Sequence, residues 1–166
     1  SPEVVQKLRQ LLLNHADQHA NTDDGGGLRS GERIFISRGN VGNKRLVNED
    51  ELAEVAKKWG FTIVSPEKYS FAEQITLFKH ANVVVGAFGA ALTNILFSKP
   101  NAVLVELQED SPLACPRVWY WKMAHAFGAR YKTIIGEYVD YHSWNESSFS
   151  IDPQLFAESL TEICTA

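Results

Sequence analysis

The run Ala81-Asn-Val-Val-Val-Gly-Ala-Phe-Gly-Ala-Ala-Leu-Thr-Asn94 constrains the fold most, because it reads as a buried strand that breaks at Gly86 and restarts through Gly89 into a helix. Val83 to Val85 are β-branched and continuously apolar, as suits a central parallel strand covered on both faces. The small residues Gly86, Ala87, Gly89, Ala90 and Ala91 let backbone approach a ligand closely. A helix N-terminus at this point offers unsatisfied N–H groups to an anion, so the turn reads as a phosphate site. It lacks the three-glycine spacing of the dinucleotide fingerprint. An ordinary tight strand-to-helix turn is the alternative.

Helical and strand patterns alternate around this run in the rhythm of an α/β, Rossmann-like, doubly wound parallel sheet. Residues 1–20 form an amphipathic helix with Val4, Val5, Leu8, Leu11 and Leu12 as its apolar side. Residues 21–32 read as a flexible linker, in which Gly25-Gly26-Gly27 means mobility because no strand precedes it. Residues 33–166 form one Rossmann-like domain. Its strands are Ile34–Ile36, Phe61–Val64, Ala81–Val85, Val103–Val105 and Tyr131–Ile135. Asn48 with Glu51 and Ser70 with Glu73 are spaced as capping boxes, opening helices that run to about Lys58 and through Phe71, Ile75, Leu77 and Phe78. A small-residue helix spans Gly89 to Phe97, a Trp-rich helix spans Pro116 to Phe127 and stops at Gly128, and Asp152-Pro153 opens the last helix.

The length of 166 residues with 45% hydrophobic and 22% charged residues suits one globular domain with a real core. A net charge of −4 with scattered Lys and Arg speaks against nucleic acid, which wants a basic face. The apolar runs fall short of the roughly 20 residues that cross a bilayer. The chain starts at Ser1 without Met, which is compatible with a trimmed or partial sequence, so the absence of a leader leaves targeting open. Cys115 and Cys164 lack CxxC spacing and read as small apolar residues. Neither they nor His15, His19, His80, His125 and His142 have the spacing of a zinc site, and no metal is expected. Asn145-Glu146-Ser147 matches a glycosylation sequon that matters only in a secretory lumen.

In such sheets a ligand sits outside the carboxyl ends of the strands. Past the first strand come Ser37 and Arg38, then Arg45, Asn48 and Glu49. Two arginines on a glycine-containing loop suit a bidentate clamp on a diphosphate; solvated charge is the alternative. Ser65-Pro66-Glu67 and Gln74 could line a base pocket or be structural. Glu106 interrupts an apolar pattern at the end of the fourth strand, where a carboxylate suits a ribose diol or a salt bridge to an arginine. Trp119, Tyr120, Trp121 and Phe127 could stack on sugars, but at helical spacing they favour a core or an interface.

Ile36-Ser37-Arg38, Arg45 with Asn48-Glu49, Gly60-Phe61, Pro66-Glu67, Ser70-Phe71 with Glu73-Gln74, Val85-Gly86 with Gly89-Ala90-Ala91-Leu92-Thr93-Asn94, Phe97 and Val105-Glu106 fall in an order that resembles glycosyltransferase family 61. The resemblance spans about residues 33 to 107. It implies the C-terminal half of a GT-B type glycosyltransferase, in a family of xylosyl- or N-acetylglucosaminyltransferases and capsular polysaccharide proteins. It further implies inverting transfer from a nucleotide sugar, a UDP-sugar in particular, to a glycan or glycoprotein acceptor, without a cofactor or bound metal. Donor binding would then fall to Ser37, Arg38, Arg45, Asn48, Glu49, Gly86, Phe88, Gly89, Ala90, Ala91, Leu92, Thr93, Asn94 and Glu106. The general base and acceptor surface would come from an N-terminal half, so this chain alone is expected to bind donor weakly and turn over little. The compartment would be cytoplasmic for a bacterial protein and the secretory lumen for a eukaryotic one.

One position departs from the pattern. The family commonly has His before Gly-Ala in the turn, and this chain has Phe88, which can stack but cannot donate a hydrogen bond. The departure keeps a non-catalytic nucleotide-binding or regulatory module open, beside a purely structural domain in which Arg38 and Arg45 are surface charge.

Overall fold

The computed structural model describes residues 2–19, 31–39, 46–110, 118–140 and 147–165. Arg45, Gly25 to Gly27, Cys115, Pro116, His142, Asn145 and Glu146 lie outside the described residues.

Helix α1 (Pro2–His19) precedes β1 (Arg33–Ile36), α2 (Glu49–Lys58), β2 (Thr62–Val64), α3 (Phe71–Phe78) and β3 (Val83–Ala87). A 3-10 helix (Ala90–Phe97), β4 (Val103–Glu109), α4 (Trp119–Phe127), β5 (Arg130–Asp140), β6 (Ser148–Ser150) and α5 (Pro153–Thr165) follow. The sheet order is β2-β1-β3-β4-β5-β6, parallel except for β6, which runs antiparallel to β5. Strand alternation sorts the side chains into two cores. Phe35, Val83, Val85, Val105 and Leu107 pack with Leu52 and Ala56 of α2 and Phe156 and Leu160 of α5. Ile34, Ile36, Val84 and Leu104 face Ala16, Ile75, Phe78, Leu92, Ile95 and Ala124 on the other side. This mixed α/β architecture, helices on both faces of a mainly parallel sheet, is compatible with the Rossmann-like class.

Several local expectations hold. Ser70 and Glu73 form their capping box at the start of α3, Asp152 accepts from the amides of Gln154 and Leu155 at 2.7 and 3.0 Å, and left-handed Gly128 closes α4 at φ +74°.

Others are corrected by tertiary contacts. Asn48 stands at the N-cap of α2 without a capping bond. Its side chain instead donates to the Ile151 carbonyl at 2.8 Å and accepts from the Ile151 N–H at 3.2 Å, tying α2 to the start of α5. On α1, Val4, Leu8 and Leu11 of the expected apolar side are exposed. The helix docks through Leu12, Leu13 and Ala16, and its rotation is fixed by Arg9, which donates to the carbonyls of Leu96 (2.9 Å) and Ser98. Strand β3 does not break at Gly86, which pairs with Ile36 and Glu106 and leads on to Ala87. The helix that follows is 3-10 rather than α. Its three-residue repeat buries Leu92, Ile95 and Ser98 along one row and Asn94 and Phe97 along the next, leaving Ala90 and Thr93 outward. Strands β4 and β5 run past Val105 and Ile135, and β5 gains β6 as a partner where the sequence shows only Ser-Phe-Ser.

Candidate functional site

The strand order reverses at β1, which has β2 on one side and β3 on the other. Residues leaving the carboxyl ends of β1 and β3 therefore diverge and leave a crevice between them. Ser37, directly after β1, donates its N–H to the Val64 carbonyl at 2.8 Å. Its hydroxyl donates to Glu49 Oε1 at 2.7 Å and accepts from the Gly39 N–H at 3.0 Å. The Arg38 N–H donates to both Glu49 oxygens, at 3.0 and 3.2 Å. Glu49 is only 2% exposed, so this buried carboxylate holds the backbone at Ser37 and Arg38, directly after β1. Among the described residues the Arg38 guanidinium has no ion-pair partner.

Arg38 lines a cleft of about 190 Å³ together with Ile36, Ser37, Pro66, Glu67, Ala87, Gly89, Ala90 and Ala91. The Leu92 N–H closes the first 3-10 turn onto the Gly89 carbonyl at 3.0 Å. The amides of Gly89, Ala90 and Ala91 precede that bond and meet no backbone acceptor among the described residues. Arg38 and three residues whose amides lack a backbone acceptor among the described residues thus line one concave space, an arrangement that suits an anion.

The two glycines of the turn differ. A Cβ on Gly86 would come within 3.0 Å of Ile36 Cβ and 3.1 Å of Leu92 Cδ2, so this glycine lets the 3-10 helix lie on the sheet. Gly89 has φ 171°, which any residue adopts, and a Cβ there would meet only the Ala87 carbonyl, at 3.7 Å. Neither packing nor backbone requires glycine at 89, and it lines the cleft. Gly86→Ala is expected to lower stability by about 1–2 kcal/mol through overpacking and Gly89→Ala by less than about 0.5 kcal/mol, as thermal melts will show.

A second cleft of about 380 Å³ adjoins the first across the same turn, lined by Phe88, Thr93, Trp119, Tyr120 and Met123. Phe88 meets Tyr120 edge to face, with ring centroids 5.4 Å apart at 73°. Glu106 requires correction. It lies within β4, not at its end, is 0% exposed, and accepts from the Tyr131 hydroxyl at 2.7 Å, which in turn accepts from Gln108 at 2.9 Å. Burial raises the Tyr131 phenol well above its ordinary pKa, and the bond to Glu106 adds to the shift. Tyr120 is raised by burial and by the Glu106 charge, with Arg38 opposing. Both phenols therefore remain protonated donors at neutral pH.

The structure thus brings Ser37, Arg38, Gly89, Ala90 and Ala91 to one cleft and Phe88 and Thr93 to its neighbour. Asn48, Glu49, Gly86, Leu92, Asn94 and Glu106 turn into the fold. Asn94 donates to Gln74 at 3.1 Å, and Gln74 donates to the Tyr69 carbonyl at 3.1 Å, so both serve the packing of α3. Trp119 and Tyr120 are cleft residues that sequence alone left among core or interface aromatics. Their signal is their place at the start of the helix that follows β4. Among the described residues no three His, Cys, Asp or Glu side chains converge, and no helix is long and apolar enough to cross a membrane.

A family model described as Glycosyltransferase 61 matches residues 2–105. The chain is 31% identical over 93 residues to an EGF domain-specific O-linked N-acetylglucosamine transferase of Drosophila melanogaster, covering 54% of this chain and 17% of that protein. A xylan glycosyltransferase of Arabidopsis thaliana is 27% identical over 94 residues, 55% of this chain and 19% of the relative. A β-1,2-xylosyltransferase of the same plant is 25% identical over 132 residues, 72% and 22%. The chain therefore spans about a fifth of the length of these relatives.

Proposed function

The chain belongs to glycosyltransferase family 61, and from that membership we propose that it carries the donor site of a glycosyltransferase, binding a nucleoside-diphosphate sugar, a UDP-sugar in particular. The diphosphate lies between Arg38 and the amides of Gly89 to Ala91. The observation that carries this reading is the meeting, at the sheet's switch point, of an Arg38 side chain without an ion-pair partner and a turn of amides without backbone acceptors, both among the described residues. The relatives' names add xylose and N-acetylglucosamine as the first sugars to try.

In the transfer step the bond between the anomeric carbon and the β-phosphate oxygen breaks, and negative charge grows on the departing diphosphate. Arg38 and the turn amides are fixed in advance at that place, so they stabilise the charge without reorganising. They supply what a metal supplies in other transferases, and donor binding is proposed to need no divalent ion. The domain is proposed as the nucleotide-binding half of a GT-B enzyme with inverting chemistry. The base that deprotonates the acceptor hydroxyl and the acceptor surface then belong to another part of the protein.

Calorimetric titration of the chain with UDP in EDTA tests the reading. Saturable binding is expected, weakened severalfold by Gly89→Ala, whose methyl group enters the cleft. Absence of binding by UDP and by other nucleoside diphosphates would overturn it. Phe88 supports a second reading, a nucleotide-binding regulatory module, because its ring packs on Tyr120 and offers no donor. Turnover of UDP-xylose or UDP-N-acetylglucosamine by the full-length protein separates the two.

A further inference from the structure

We propose that the aromatic cleft beside the phosphate turn holds the sugar ring of the bound nucleotide sugar, with Trp119 beneath the ring and the Tyr120 hydroxyl on one of its oxygens. This rests on the diphosphate reading above.

Continuity between the clefts carries the first step. Phe88 lines the aromatic cleft, while its chain neighbours Ala87 and Gly89 line the phosphate cleft, so one turn of backbone forms the wall between them. Arg38 lines the phosphate cleft, and its charge is felt at the Tyr120 phenol from across that wall. In a nucleotide sugar the diphosphate carries the glycosyl group at one end and the ribose at the other, so the spaces on either side of the phosphate turn divide between them. The aromatic cleft is assigned to the glycosyl group, and the nucleoside extends toward Pro66 and Glu67 on the β2 side.

The lining carries the second step. At about 380 Å³ the cleft lies within the range of small-molecule sites, roughly 300–1,000 Å³, which are mostly apolar with a few polar groups that fix orientation. Phe88 and Tyr120 present an edge to a face, so they occupy each other. Trp119 is 74% exposed, and its indole supplies an apolar surface of the kind that the C–H face of a sugar covers. Tyr120 is 8% exposed, and among the described residues its hydroxyl has no hydrogen-bond partner. It is a donor held at the cleft that a ligand oxygen can accept from. Thr93 donates its hydroxyl proton to the Ala90 carbonyl at 2.7 Å, which leaves the oxygen able to accept from a sugar hydroxyl.

The test compares UDP with UDP-xylose and UDP-N-acetylglucosamine by calorimetry on the chain and on its Trp119→Ala and Tyr120→Phe variants. Trp119 is exposed and Tyr120→Phe keeps the ring, so both variants are expected to fold. Each should weaken at least one UDP-sugar by roughly three- to tenfold while leaving UDP within about twofold. Equal weakening of UDP and UDP-sugars would give the cleft to the nucleoside and overturn the assignment. No change for any ligand, while UDP still binds in an Arg38-dependent way, would make the cleft a contact surface and overturn this inference alone. Failure of UDP to bind the unaltered chain would remove the diphosphate reading and this inference with it.

Discussion

Arg38→Ala is expected to weaken UDP binding by roughly 10- to 100-fold, the size of one or two hydrogen bonds from a charged donor to phosphate oxygens. The melting temperature should move by no more than about 2 °C, because the contacts that hold the turn belong to the Arg38 backbone. That N–H donates to Glu49 at 3.0 Å and survives the substitution, while the guanidinium has no ion-pair partner among the described residues. Arg38→Lys keeps the charge but not the planar fork, so it should recover only part of the affinity. Raising the salt concentration should narrow the gap between the native chain and Arg38→Ala, since the lost interaction is charge with charge. Unchanged affinity in Arg38→Ala would make this residue solvated charge and leave the cleft without its principal anion ligand.

The parts of the fold that were legible in the sequence are those governed by neighbours in the chain. The capping box of Ser70 and Glu73 closes within three residues, and the alternation of Val83, Val84 and Val85 decides which core each one enters. What escaped depends on distant partners. Asn48 has the spacing of a cap, yet its partner Ile151 lies 103 residues away, and that two-bond contact outcompetes the local one. Strand β6 exists because β5 runs on far enough to pair with it, so Ser148 to Ser150 carry little strand signal of their own. Leu8 and Leu11 look like a core face until Arg9 rotates α1 onto the carbonyls of Leu96 and Ser98.

The candidate site divides in the same way. Arg38 and the Gly89 to Ala91 turn, which share one cleft, could be singled out from sequence because strand ends at a switch point are where open sheets bind ligands. Glu106 could not be assigned from its polarity, since β4 continues past it and the Tyr131 hydroxyl holds it inside. Gly86 and Gly89 look alike in a motif. Only the distances around a missing Cβ separate the glycine that serves packing from the one that opens to the cleft.

Glu49 shows how a site residue named by pattern can act at one remove. Its Oε1 accepts from the Ser37 hydroxyl at 2.7 Å and from the Arg38 N–H at 3.0 Å, all within a carboxylate that is 2% exposed. Glu49→Ala removes the acceptor for both donors and leaves the Arg38 N–H unsatisfied under the turn. At about 1–3 kcal/mol for the buried Arg38 N–H and about 0.5–1 kcal/mol for the Ser37 hydroxyl, which can turn to another acceptor, the variant is expected to lose about 2–4 kcal/mol of stability, a fall of roughly 5 to 12 °C in melting temperature for a domain of this size. Glu49→Gln, with its oxygen at the Oε1 position, keeps both of those bonds but sets an amide nitrogen 3.2 Å from the Arg38 nitrogen, donor against donor. It should lose about 1 kcal/mol. The stability loss is half of the expectation. The turn that Glu49 anchors also carries Arg38, so UDP affinity measured well below the melting point should fall in Glu49→Ala and largely recover in Glu49→Gln. A melt that does not shift would remove Glu49 as the anchor of the turn. A melt that falls while UDP affinity holds would separate the anchor from the site and show that Arg38 finds the diphosphate without a fixed backbone beneath it.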